Sequence, residues 1–398
     1  MYQQRVRRGG NAAGIMKPAL GKLRFPEEES LGRRYPQSPH PYRGEYQRDR
    51  DRIIHSRAFR RLEDKTQVFT RPDSDHWRNR LTHTVEVAQI ARTVASTLGL
   101  NETLTEAVAL AHDIGHPPFG HAGEQELNRQ LHSFGDRFDH NLHALKIVEQ
   151  FEHGYPQFAG LNLTFEVREG LVKHSSDLAS GEVATIAEYL PQKLPPLETQ
   201  LIDRVDEIAY NTSDLDDGHS AHLFTIEQIV AAIPEYGCIW RAAKGEFPNI
   251  SERIHFSETV RRLADRLVSG LIEGTVVSVE EFRVDDFHTV RDLPRRLARF
   301  TPATHALNQA LKCFLNDKVY CSNLVQAACR THSTAIANLF SYYLQRPERM
   351  PRRGDWTEEE PLHLVVCDYI AGMTDGFFYR THESLIGPIS SPQPHLWP

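Results

Sequence analysis

Apolar residues recur at helical spacing along most of the chain. In 82–98 the set Val85, Ala88, Ile90, Ala91, Val94, Ala95 and Leu98 follows an i, i+3, i+4 pattern, which lines one face of an α-helix. Asn101 and Thr105 are capping residue types ahead of an Ala-rich segment, 105–113, and Gly115 with Pro117 and Pro118 stops it. The same reading predicts helices over 121–132, 139–153 and 164–175. After the PQKLPP loop at 191–196 it predicts them over 198–210, 222–233, 255–272, 303–316, 318–344 and 358–383. Two-residue alternation is rare, and the EGTVVSV run at 273–279 is the candidate for a short strand. Residues 1–45 carry Pro18, Pro26, Pro36, Pro39 and Pro41 without a sustained apolar period and predict an extended or mobile arm; from about Arg48 the pattern turns helical. The expected class is all-α: an arm over 1–45 and a single large helical domain over 46–390, without an obvious second core or internal repeat.

Composition narrows the class. The chain has 398 residues, 40% hydrophobic and 25% charged, as in an ordinary globular protein. No apolar run approaches the roughly 20 residues that span a bilayer, and no apolar stretch follows the basic N-terminal residues as in a secretory signal. The five cysteines include no CxxC pair, so neither a disulfide framework nor a zinc knuckle is signalled, and the cytoplasm is the expected compartment. Cys321 and Cys329 sit in apolar-rich helical sequence and are expected to be buried. The net charge of −7 is polarised: residues 1–60 hold 14 Lys/Arg against 6 Asp/Glu, a net of +8 that leaves −15 for the remainder. A basic arm suits nucleic acid, single-stranded DNA included, or phosphate; a solvated tail fits it equally.

Histidine changes the picture more. Of 21 His, 11 fall between His55 and His174, and His is both the commonest metal ligand and the side chain that titrates nearest neutrality. His83 starts the first amphipathic helix, His112 and Asp113 end the next, and Asp206 lies on a helix about 90 residues later. Two imidazoles and two carboxylates suit a divalent transition metal or magnesium, and the coordination positions they leave open can take water or a phosphate oxygen. In ALAHDIGHPPFGHAGEQEL, small residues precede the pair and a Gly-Pro turn brings His116 and His121 back toward it.

These residues resemble the HD-domain metal-dependent phosphohydrolases, most closely the deoxyguanosine triphosphate triphosphohydrolase (dGTPase) family. RDRDRIIHSRAFRRLEDKTQVF at 48–69, NRLTHTVEVAQIAR at 79–92, DRVDEIAY at 203–210 and VCDYIAGMTD at 366–375 carry the resemblance, which covers roughly residues 31–385. The chain departs from the family pattern at Ser213, where a His is common, and at Gly376-Phe377-Phe378 after GMTD, where Arg-Tyr-Ala is usual. Both departures bear on substrate preference more than on chemistry.

The resemblance implies hydrolysis of a deoxynucleoside triphosphate (dGTP or several dNTPs) to deoxynucleoside and tripolyphosphate, with a divalent cation (Mn, Mg, Co or Fe) on His83, His112, Asp113 and Asp206. His121 is the expected proton-transfer group, with Glu124 one helical turn on to orient it. Arg80, His116 and His140 are implied phosphate neighbours. Lys173 in EGLVKH fits a second phosphate cation or an ordinary salt bridge equally. Tyr210 and Asp214, four and eight residues after Asp206, share its helix face; the ring would exclude a 2′-hydroxyl and the carboxylate accept from the 3′-hydroxyl, with Gln67 also near the sugar. The resemblance also implies a symmetric homo-oligomer, often a hexamer or tetramer, sometimes with a dNTP effector. A different HD phosphohydrolase releasing phosphate, or a nucleotide- or DNA-responsive binding protein with a retained metal site, are the alternatives.

Overall fold

The computed structural model describes residues 20–69, 77–174, 184–351 and 360–389. Residues 1–19 of the expected arm, the helix ends expected at 175 and 358–359, and residue 390 lie outside them. Among the described residues there are seventeen α-helices and no strand beyond isolated bridges, so the protein is all-α. In chain order they are α1 (Glu45–His55), α2 (Arg57–Arg61), α3 (Arg80–Leu98), α4 (Glu102–Ala111), α5 (Gly120–His132), α6 (His140–Lys146), α7 (Phe165–Val172), α8 (Ala184–Ala187), α9 (Leu197–Ser220), α10 (Ile226–Ala232), α11 (Pro234–Glu246), α12 (Glu252–Phe282), α13 (Phe287–Arg291), α14 (Pro302–Leu315), α15 (Asn323–Gln345), α16 (Leu362–Ala371) and α17 (Asp375–Leu385). None is long and apolar enough to cross a membrane.

Three helices frame the site. α3 begins where the Asn79 side chain accepts the Thr82 N–H at 2.9 Å and Thr82 Oγ1 receives the Asn79 N–H at 3.2 Å, a reciprocal cap. It ends at Gly99, whose φ of 80° supplies the left-handed residue a helix end favours. α4 starts on the Asn101 cap and is nearly all buried, and its alanines let α3 and α9 pack close on either side. Val87, Ala91, Val94, Leu104, Val108, Leu201, Val205 and Ile208 fill the seams between them.

Several elements differ from the sequence expectation. The EGTVVSV run is helical, within the 31-residue α12. Gly270, Gly274 and Ser278 repeat every four residues there, on a stripe that tertiary packing favours over β propensity. A Cβ at Gly270 would stand 2.0 Å from Thr304 Oγ1, and one at Gly274 2.3 Å from the Arg299 carbonyl. α11 was not foreseen, although Pro234 opens it at a position where proline is favoured. The helix expected over 358–383 is two, α16 and α17, parted at Gly372–Thr374 where Thr374 caps the second. The helix expected at 139–153 is α6 followed by a π turn, Ile147–Phe151. Cys321 is exposed and Cys329 half-buried, because neither lies on the inward stripe of its segment.

From Leu20 the N-terminal segment is docked rather than loose. Leu20, Leu23 and Phe25 are buried, and the Phe25 N–H donates to buried Glu198 at 2.9 Å. The Leu31 N–H donates to Glu166, and Arg33 bridges Glu45 and Asp49. A few anchors hold it, with no period for a sequence reading to find.

The buried apolar side chains form two clusters. The larger includes the α3–α4–α9 seams. The second joins Phe119, Leu127, Leu131 and Phe138 around α5 to Ile336, Leu339 and Phe340 of α15 and to Val366, Ile370 and Phe378 of α16 and α17.

Candidate active site and metal centre

The four candidate ligands converge from three helix segments. His83 lies in the first turn of α3, His112 and Asp113 just past the end of α4, and Asp206 in mid-α9. His83 Nε2 is 2.8 Å from Asp206 Oδ1. His112 Nε2 is 3.6 Å from Asp113 Oδ1 and 3.7 Å from Asp206 Oδ1. His112 Nδ1 donates to the Ala109 carbonyl at 2.6 Å, which leaves Nε2 as the lone-pair nitrogen. That atom is buried without a hydrogen-bond partner. Burial opposes charge on His112, yet Asp113 and Asp206 push its pKa up to about 9. The cluster therefore draws positive charge, and the orphaned nitrogen with the two carboxylates is a donor set that a divalent cation fits.

Arg80 is buried at the start of α3 and donates to Asp113 Oδ2 at 2.8 Å. Against the burial that pushes it up, Arg80, His116 and His112 hold Asp113 well below the usual carboxylate range. The other Asp113 oxygen is 3.0 Å from His116 Nδ1, and the His116 ring lies 3.9 Å from that of His140. Burial, with Arg80 and His140, pushes the pKa of His116 well down, so it is neutral at pH 7. Glu124 binds His140 tightly, at 2.7 Å to Nδ1 and 3.2 Å to the backbone N–H. His121 Nδ1 is 3.5 Å from the other Glu124 oxygen, and its side chain is 76% exposed. The expected His121–Glu124 pair is thus in place but loose, and Glu124 is oriented chiefly on His140.

The turn between these groups is braced from far along the chain. Phe119 and Gly120 both take positive φ, 62° and 56°. A Cβ at Gly120 would stand 2.9 Å from Arg80 Nη2, so a side chain there would press on Arg80 and strain the turn. Asp375 accepts the Phe119 N–H at 3.0 Å and the Thr66 N–H at 2.8 Å. Buried Lys65 donates to the His116 carbonyl and, at 3.2 Å, to that of Ala371.

The candidates for the sugar lie on α9 and beside Gly120. Tyr210 is half-buried, and Asp214 accepts the Tyr320 O–H at 2.5 Å. Burial pushes the Asp214 pKa up to about 7, with Tyr320 pulling the other way. Gln67 is half-buried beside Gly120, and its Oε1 is buried without a partner. Lys173 is different. Its Nζ donates to Glu169 at 2.6 Å and to the carbonyls of Leu190 and Lys193 at 3.0 and 2.6 Å. Three donors bound to three acceptors leave none for a phosphate, which removes Lys173 as a phosphate cation.

Sequence reasoning missed three residues. His174, next to Lys173, brings its Nε2 to 3.8 Å from Asp206 Oδ2. Asp203, one turn before Asp206, stands 2.8 Å from His174 Nδ1. Tyr320 reaches Asp214 from the π turn after α14. For the first two the signal was in hand, since EGLVKH and DRVDEIAY were both singled out; for Tyr320 there was none.

An all-helical body carrying His, His-Asp and Asp on three packed segments defines the HD class, and the HD domain matches residues 80–211 of this chain. A phosphohydrolase-associated domain matches residues 298–384. A deoxyguanosinetriphosphate triphosphohydrolase-like protein of Geobacter metallireducens is 41% identical over 361 residues, 90% of this chain and 93% of its own. Proteins of the same description from Bordetella pertussis (41% over 377 residues, 93% of this chain and 97% of its own) and Ralstonia pickettii (42% over 361 residues, 90% and 92%) are similar in extent. The chain belongs to the HD-domain phosphohydrolases and, among them, to the deoxyguanosinetriphosphate triphosphohydrolase-like family.

Proposed function

We propose that the protein hydrolyses deoxynucleoside triphosphates to deoxynucleoside and tripolyphosphate. One observation carries the reading: Asp113 belongs to the His83–His112–Asp206 cluster and also touches His116, the first member of the His116–His140–Glu124–His121 group. Metal ligands and proton-transfer groups thus share one wall. A divalent cation held by His83, His112, Asp113 and Asp206 would polarise a phosphoryl oxygen and lower the pKa of bound water.

The chain's own groups supply the rest. Water attacks the α-phosphorus, giving up a proton to solvent as the new P–O bond forms, and the 5′-oxygen leaves, needing a proton. His121 delivers it, with Glu124 tightening on the imidazole as substrate enters. His140, held by Glu124 through Nδ1, donates a hydrogen bond to a phosphate oxygen, and neutral His116 lies beside it against Asp113. Arg80 holds Asp113 in place and adds a fixed positive charge behind the phosphates. Tyr210 packs where a 2′-hydroxyl would sit, and Asp214 with Gln67 Oε1 accepts from the 3′-hydroxyl, which selects deoxyribose.

The test is product analysis with each of the four dNTPs and Mn, Mg or Co. Tripolyphosphate together with deoxynucleoside is the expected result. Orthophosphate or pyrophosphate alone, or dNMP hydrolysis without dNTP turnover, would give the chain to another HD phosphohydrolase. Nucleotide binding with no turnover under any metal would make it a binding protein.

A further inference from the structure

His112 is flanked by two imidazoles at similar separations. The His83 ring centre lies 5.7 Å away and the His174 ring centre 5.2 Å away. His174 is buried at the end of α7. His112, His174 and Asp206 each offer a donor atom, and these atoms lie within 4.8 Å of one another, as do those of His83, His112 and Asp113. The two triads share His112. Neighbouring donors around one ion at roughly 2.0–2.2 Å are themselves about 3–3.5 Å apart. The separations here, 2.8 Å for His83–Asp206, 3.7 Å for His112–Asp206 and 3.8 Å for His174–Asp206, fall near that range.

The far side of His174 is built like that of His112. His112 Nδ1 donates to the Ala109 carbonyl, and His174 Nδ1 stands at ion-pair distance, 2.8 Å, from Asp203 Oδ1. Asp203 is itself clamped by Arg296, whose Nη2 donates to the Lys173 carbonyl at 2.7 Å. A carboxylate behind an imidazole fixes its tautomer and aims the other nitrogen forward, the arrangement that supports metal-bound histidine.

We propose that His174 is a fifth protein ligand of the ion held by His83, His112, Asp113 and Asp206, with Asp203 as its positioning residue. The inference rests on the metal-dependent reading above.

Cobalt(II) is the probe. X-ray absorption on the cobalt-loaded wild-type protein counts imidazoles: three are expected, and two would overturn the proposal without any variant. Calorimetric cobalt titration of the metal-stripped protein gives the second measurement. H174A should bind at least about tenfold more weakly, and D203N should lose affinity in the same direction within roughly 10–100-fold. D203N should also shift the cobalt d–d bands while its melting temperature stays near wild type, which a merely structural role for Asp203 would not produce. Wild-type affinity in a folded H174A overturns the proposal. H112A separates the two readings. If it loses cobalt while H174A keeps it, only the fifth ligand fails; if both retain wild-type affinity, the metal centre itself fails.

Discussion

His112 illustrates how one side chain is committed by its surroundings. With Nδ1 spent on the Ala109 carbonyl, only Nε2 is left to meet Asp113 and Asp206. H112A and D206A should each lower turnover by about a thousandfold or more and lose bound metal, measured by elemental analysis beside the product assay. Asp214 gives a pH prediction. Its pKa lies near 7 because burial disfavours the charge, while the Tyr320 O–H favours it. If the ionised carboxylate accepts from the 3′-hydroxyl, kcat/KM falls as pH drops through about 7. Y320F removes the donor and should move that inflection upward. The stability sign is opposite: a raised carboxylate pKa contributes stability that is present at low pH and is lost as pH rises through the folded pKa of about 7. D214N should remove that slope in denaturant melts between pH 5 and 8.

Among the elements, α12 shows where the sequence misleads and why. Its β-branched run resembles a strand locally, yet Gly270 and Gly274 leave the close approach that α14 and the strand-free segment before it occupy. G270A forces a methyl against Thr304 and should cost about 1–3 kcal/mol as overpacking, read by chemical denaturation; activity of the folded fraction should be unchanged. The same contrast explains how much was legible. Helices α3, α4, α5 and α9 could be read from spacing, because burial imposes the 3.6-residue period; the four expected ligands stood out through the crowding of histidines and the motif resemblance instead. The docking of Leu20–Gly44 could not, since isolated anchors such as Phe25 and Arg33 leave no period. Nor could the loss of Lys173 to Leu190 and Lys193, because carbonyl acceptors carry no sequence signature. His174 was concealed by its neighbour: Lys173 drew the phosphate reading, and only the fold turns the next residue toward Asp206.

At the scale of the whole molecule, the two apolar clusters divide the chemistry. The metal-cluster residues sit on α3, α4 and α9, beside the larger cluster, whereas the turn bearing His116 and His121 is tied by Asp375 and Lys65 to the cluster built from α5, α15, α16 and α17. D375A would leave the buried N–H groups of Thr66 and Phe119 unpaired, at about 1–3 kcal/mol each. It should lower the melting temperature and kcat while metal content stays at the wild-type level.

That tether gives the protein two clocks under heat. The smaller cluster holds the turn expected to deliver the proton but none of the four ligands expected to grip the ion, so loosening it first should silence turnover without emptying the site. A thermal ramp followed by both activity and metal release should show activity failing several degrees earlier, and amide exchange should find α16 and α17 opening before α3, α4 and α9. In that interval the protein would be an inert metal carrier, and cooling before the larger cluster opens should restore turnover without any added cation.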